Sequence, residues 1–167
     1  MWESFNREYI AASEQMDMGP AINNKVEILL VEDNADDVAL TLHVFKKANL
    51  SNKVHVLVDG MDAIDYILCR GKHSQRTSNP ASELVLLDLN LPKLHGLDVL
   101  RQIKSDERTR SLAVVILTAS QEERGVMQSY KLGAQGCIVK PFDFLKFTEA
   151  LSELPISLLL LGKSQGA

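Results

Sequence analysis

The chain has 167 residues, 46% of them hydrophobic and 24% charged, which fits one globular domain and excludes a disordered or fibrous chain. A formal net charge of −4 supplies no basic field for nucleic acid or anionic lipid, and two cysteines, Cys69 and Cys137, are too few for a disulfide framework or a zinc cluster. No basic region followed by an apolar core opens the chain, and its longest apolar stretch, residues 156–161 with one Ser inside it, is far below the roughly 18 residues that span a bilayer, so a soluble cytoplasmic protein with neither nucleic acid nor membrane as partner is expected.

Residues 1–24 form an N-terminal extension, in which Trp2, Phe5 and Tyr9 fit one stripe of a short helix or a loose segment equally well. Residues 26–31 are almost continuously apolar and β-branched, as strands are when both faces of a sheet are covered. A first helix comes next, with Val38, Leu42 and Phe45 on one face, Asp36 and Asp37 in its opening turn, and Lys46 and Lys47 in its closing turn, an order that complements the helix dipole. A second strand at 54–58 leads to a weaker helix at 61–69, and then to a long polar stretch, 71–82, that reads as a surface loop. The third strand is 84–89, and Leu97, Leu100 and Ile103 mark the third helix. Arg101, Lys104, Arg108 and Arg110, mixed with Asp106 and Glu107, read as a solvated face and the loop after it. The fourth strand is 113–117. Ser120 and Glu123 then form a capping box for a helix carrying Val126, Met127 and Tyr130. A fifth strand at 136–139 precedes a helix striped by Phe144, Phe147, Leu151 and Leu154, and residues 155–167 form an apolar tail. Five strands alternating with five helices predict an α/β fold over residues 25–154: a doubly wound, five-stranded parallel sheet with right-handed crossovers and helices on both faces.

Ligands of such sheets sit outside the carboxyl ends of the strands. The first strand ends in Glu32-Asp33, the third in Asp88, the fourth in Thr118 and the fifth in Lys140. One polar ending is uninformative, because strands must stop somewhere; four chemically complementary endings on one rim point to function. Three carboxylates about 4 Å apart repel by roughly 4 kcal/mol per pair at an effective dielectric near 20, so cations must neutralise them. A hard divalent ion such as Mg²⁺ takes one or two carboxylates plus a phosphoryl oxygen, and Lys140 adds a further positive charge. An aspartate nucleophile beside a metal, a lysine and a hydroxyl supplies the parts of phosphoryl transfer, with an acyl phosphate as product.

The segments VEDN at 31–34, LLDLNLPKLHG at 86–96, ILTAS at 116–120 and IVKPF at 138–142 resemble the receiver domain of two-component response regulators in order, spacing and strand context. The resemblance covers about residues 26–154. ADDVALTLHVFKKANL, the long loop before the third strand and SDERTRSLAVVILTAS are most similar to the small single-domain regulators that partner cyanobacterial phytochromes. The resemblance implies a flavodoxin-like sheet of strand order 2-1-3-4-5. It implies Asp88 as phosphoacceptor, fed by a histidine kinase, with a phytochrome-type kinase implied by the closer likeness. It also implies Glu32, Asp33, Asp88 and the Asn90 backbone carbonyl as ligands of Mg²⁺, Thr118 as the switch hydroxyl, and Lys140 as the partner of Asp88 and then of the phosphoryl group. Lys140–Pro141 is similar to a bond often cis in the family. Such a protein is a signalling phosphoprotein, not an enzyme, and catalyses only its own phosphorylation and dephosphorylation.

One position departs from the family. Three residues before the lysine, where receivers usually carry an aromatic that swings, stands Cys137, whose small thiol cannot do so and which reads as a buried structural cysteine. His43, His55, His73 and His95 lack metal-ligand spacing and read as structural or solvated, and Gly125, Gly133 and Gly136 as turn and packing glycines. A haloacid-dehalogenase-like phosphatase would want a second Asp where Asn90 stands, and a flavodoxin-type carrier would want a hydroxyl-rich loop where EDNADD is acidic. A receiver-shaped adaptor that binds without being phosphorylated is the remaining alternative. With no output domain expected after the fifth helix, the protein should act by binding. The apolar stripe and tail predict a homodimer through the fourth helix, fifth strand and fifth helix.

Overall fold

In the computed structural model, residues 26–48, 50, 53–119, 124–152 and 154 are described. In chain order they form β1 (Glu27–Val31), α1 (Ala35–Lys47), β2 (Val54–Leu57), α2 (Gly60–Ile67), β3 (Glu83–Asp88), α3 (Gly96–Ser105), β4 (Ala113–Thr118), α4 (Arg124–Leu132), β5 (Gly136–Val139) and α5 (Phe144–Leu151). All strand pairings are parallel, in the order β2-β1-β3-β4-β5. The doubly wound parallel sheet is as the sequence pattern predicts, its strand order is the one the resemblance implies, and the five helices expected between and after the strands are present among the described residues. The capping box at 120–123, the extension 1–24 and the tail after 154 lie outside the described residues.

Alternation along the strands builds two cores. Leu29, Val31, Val85, Leu87, Val114 and Ile116 face α2 and α3, with Leu132 of α4 packed alongside. Ile28, Leu30, Leu84, Leu86, Val115 and Leu117 face α1 and α5, where Phe45 and Phe147 meet edge to face with centroids 5.0 Å apart. Every residue of β3 and β4 is buried. These central strands are therefore rigid supports for the side chains at their carboxyl ends.

Side-chain caps start four of the helices. Asn34, Asp59 and Asp143 cap α1, α2 and α5 by accepting a backbone N–H from the third helical residue. His95 caps α3 through Nδ1, which accepts the Leu97 N–H at 3.2 Å.

Several expectations change. On α1 the buried positions are Thr41 and Phe45, while Leu42 is turned outward beside Leu40. On α4 only Val126 of the expected stripe is buried; Met127 is 67% exposed and Tyr130 48%. Lys104 is not part of a solvated face: it folds back so that Nζ donates to the Arg110 and Leu112 carbonyls at 3.0 and 2.7 Å, and burial pushes its pKa down. The stretch 71–82 contains two short 3₁₀ turns and is pinned inward by Arg76. The Arg76 guanidinium lies 4.0 Å from the Tyr66 ring centroid, donates to Tyr66 O at 3.0 Å, and pairs with the buried Glu83 at the start of β3. The Tyr66 hydroxyl donates to Glu27, beside which His55 stands at 3.2 Å; His73 accompanies Asp62 at 2.9 Å. His55 and His73 thus belong to a polar network beneath α2. Cys137 is half-buried, not fully so.

Candidate functional site

The polar rim forms at the carboxyl ends of β1, β3, β4 and β5. Adjacent registers bring the strand ends level: Val31 pairs with Leu87, Asp88 with Leu117, and Thr118 with Val139. The residue after each last pair therefore emerges on the same edge. Glu32 and Asp33 come directly after β1, Asp88 and Thr118 close β3 and β4, and Lys140 comes directly after β5. The Lys140 N–H donates to the Thr118 carbonyl at 2.8 Å, which fixes the start of the β5–α5 connection. The Lys140–Pro141 peptide is cis.

One carboxylate oxygen from each of Glu32, Asp33 and Asp88 lies within 4.8 Å of the others. Asp88 is 5% exposed and both its oxygens are engaged: Oδ1 accepts the Asn90 N–H and Oδ2 accepts Lys140 Nζ, each at 2.8 Å. Lys140 Nζ also donates to Glu32 Oε2 and Asp37 Oδ2, both at 2.9 Å. Asp33 is exposed and Glu32 is buried. Burial pushes the Glu32 carboxyl up to about 7, with the neighbouring Asp88 adding to the shift and Lys140 and the Asn34 N–H opposing it. Burial alone would lower Lys140, but the carboxylates of Asp37, Asp88 and Glu32 outweigh it and hold its pKa above the ordinary lysine range. Among the described residues, this oxygen-only cluster has the donors a hard divalent ion prefers, and no sulfur or imidazole competes within it.

All the side chains expected at the site fall on this one rim. Asp37 was not expected there. In the sequence it reads, with Asp36, as an acidic opening of α1; only the fold shows that the two part company and that Asp37 alone reaches a lysine 103 residues away. The scattered histidines stay outside the site, as expected.

An open parallel sheet with acidic residues and a lysine at its carboxyl rim defines a phosphoryl-handling signalling domain more closely than a phosphatase or a cofactor carrier. Residues 28–152 match the response regulator receiver domain, and the chain belongs to that family. It is similar to the bacteriophytochrome response regulator RtBRR, whose solved structure is 45% identical, covers 78% of each chain and superposes with a TM-score of 0.71. It is 38% identical to response regulator Rcp1 of Synechocystis over 63% of this chain and 69% of that one. A solved structure of Rcp1 in its Mn²⁺-bound form has a TM-score of 0.65, at 31% identity over 77% of this chain and 93% of that one. A probable methanogenesis regulatory protein, FilR2 of Methanothrix harundinacea, is 33% identical over 76% of this chain and 79% of its own length. The protein is thus a receiver-domain response regulator, homologous to phytochrome response regulators.

Proposed function

We propose that Asp88 is the phosphoacceptor and that its donor is the phosphohistidine of a phytochrome-type histidine kinase. In the transfer, an Asp88 Oδ–P bond forms as the donor N–P bond breaks. The electron pair returns to the imidazole nitrogen, which takes a proton from solvent. The observation that carries this reading is the state of Asp88: a nearly buried carboxylate with one oxygen fixed by the Asn90 N–H, the other by Lys140, and two more carboxylates beside it. Such fixing supplies positioning, which dominates phosphoryl transfer.

Glu32, Asp33, Asp88 and the Asn90 carbonyl would hold Mg²⁺, which when bound supplies charge neutralisation to the phosphoryl oxygens. The chain's own contributions are distinct. Lys140 keeps an ammonium charge against the acceptor and is placed to donate to the phosphoryl group. Thr118, buried one strand away, offers a hydroxyl to the same group. Asn90 orients the acceptor oxygen through its N–H. The Mn²⁺-bound form of Rcp1 supports the metal assignment.

Recognition in the cytoplasm by a homodimer is part of the same reading. Met127 and Tyr130 on α4 are exposed, as is Leu145 at the start of α5. Together they favour a dimer through the α4–β5–α5 face. Half-buried Cys137 on that face makes an aromatic swing unavailable as the reporter of phosphorylation.

Intact-mass spectrometry after incubation with acetyl phosphate tests the assignment. We expect a gain of about 80 Da, one phosphoryl group, that requires Mg²⁺ and vanishes in Asp88→Asn. If neither acetyl phosphate nor a phosphorylated histidine kinase produces the shift in folded protein, the acceptor assignment is wrong and a phosphorylation-independent adaptor role replaces it.

A further inference from the structure

Lys140 has three N–H donors, and all three are taken by carboxylates: Glu32 and Asp37 at 2.9 Å and Asp88 at 2.8 Å. Glu32 and Asp88 belong to the cluster suited to a divalent ion; Asp37 does not. It stands on the first turn of α1, three residues after the cap Asn34. An acidic side chain at that position ordinarily reaches back to the N–H of the cap residue. Here the Asn34 N–H is already accepted by Glu32 Oε1 at 3.1 Å, so the Asp37 carboxylate is left to Lys140. The pairing ties α1 to the β5–α5 connection across a narrow crevice lined by Leu40, Thr41, Pro141 and Phe142.

We propose that Asp37 is a positioning residue for phosphoryl transfer: it holds the Lys140 ammonium over Asp88 in the unphosphorylated protein and is the contact Lys140 gives up when Asp88 carries the phosphoryl group, releasing the first turn of α1 from β5. The inference rests on Asp88 being the acceptor. A phosphoryl group brings three oxygens and close to two negative charges to a place where Asp88 offered one. The bond to Asp88 passes to the phosphoryl group, and because the ammonium has no spare donor, a second bond to that group requires one of the remaining two to be surrendered. The Glu32 side chain is 1% exposed and cannot be rehydrated cheaply, and Asp88 itself bears the new group. The Asp37 side chain is 31% exposed and returns to water at little cost. Repulsion between the phosphoryl group and the Asp37 carboxylate acts in the same direction. This route delivers the signal to α1 without an aromatic at position 137.

Amide hydrogen exchange of the full chain, read by mass spectrometry of the peptide 35–42, tests it, with beryllofluoride and Mg²⁺ as a stable phosphoryl mimic and fluorine NMR to register that the mimic has bound. In the wild type, exchange in this peptide should rise about fivefold or more on binding, the scale of one partly exposed charge-assisted hydrogen bond. Asp37→Asn should show the raised exchange before the mimic is added and change less than about twofold afterwards. Asp37→Glu should restore the wild-type difference. A bound-mimic resonance with unchanged exchange in the wild type would overturn the release of α1 while leaving Asp88 as acceptor. Wild-type protection in unmodified Asp37→Asn would overturn the tether. Absence of the resonance would remove the Asp88 reading and this inference with it.

Discussion

Arg76→Met isolates the clamp that fastens the 71–82 stretch to the sheet. The Arg76 side chain is 13% exposed and that of Glu83 3%, so the variant leaves a buried carboxylate without its cation. The Ser78 hydroxyl and the Asn79 N–H, both at 3.2 Å, remain as partners of Glu83, but neither carries charge. Breaking one side of a buried pair costs about 3–5 kcal/mol, and losing the guanidinium over the Tyr66 ring adds about 1 kcal/mol. Against a total stability of about 5–15 kcal/mol, the folded state should become marginal. Urea unfolding would read this as a lower midpoint with an unchanged slope, and thermal unfolding as a drop of roughly 8–24 °C at about 2–4 °C per kcal/mol. Arg76→Met combined with Glu83→Leu removes both charges and should recover most of the loss, because an apolar pair of similar volume substitutes well for a buried ion pair. A loss under about 1 kcal/mol in the single variant, or no recovery in the double variant, would refute the buried-charge argument.

Gly96→Ala tests the sign of a glycine effect: a Cβ there would lie 2.5 Å from the Asp88 carbonyl oxygen and 2.6 Å from Leu89 Cα, so in place of the helix-propensity gain of about 0.5–1 kcal/mol we expect a loss of about 1–3 kcal/mol in urea, together with slower labelling by acetyl phosphate. Metal-free protein should show a pH slope from Glu32, whose carboxyl rises from 4.5 to about 7 on folding. That contribution is present below about 4.5 and is lost as pH rises through about 7, so urea midpoints in EDTA should carry this loss between pH 5 and 8, and Glu32→Gln should remove it. Lys104→Met deprives the Arg110 and Leu112 carbonyls of their donor and should cost about 1–2 kcal/mol by the same measurement, where a solvated lysine would cost almost nothing.

The strands were legible because β3 and β4 are buried on both faces, which leaves no choice of residue but apolar ones, and each stops at the first polar side chain. The rim residues were legible for the same reason: a charge directly after such a run must lie at a strand end. What escaped were features set by partners outside a residue's own helix, strand or turn. Nothing local separates Asp36 from Asp37, or marks Lys104 as reaching two carbonyls beyond its own helix. The inward pull on the polar 71–82 stretch comes from Glu83 and Tyr66, so composition alone reads it as a free surface loop. Met127 and Tyr130 have helical spacing with Val126, yet a helix resting on one edge of a sheet buries a narrow stripe, and they fall outside it. Leu42 on α1 fails for the same geometric reason.

Lys140 stands 108 residues from Glu32 and 52 from Asp88. During synthesis the three clustered carboxylates are therefore all present well before their counter-charge has been made. A nascent chain that has reached β4 would have its acids facing one another with no ammonium among them, and their repulsion disfavours early closure of the rim. Addition of β5, the last strand and an edge of the sheet, supplies both the lysine and the final pairing in one event. Formation of the rim is thereby linked to the arrival of β5: a chain that ends before residue 140 brings the three carboxylates together without the ammonium that contacts two of them.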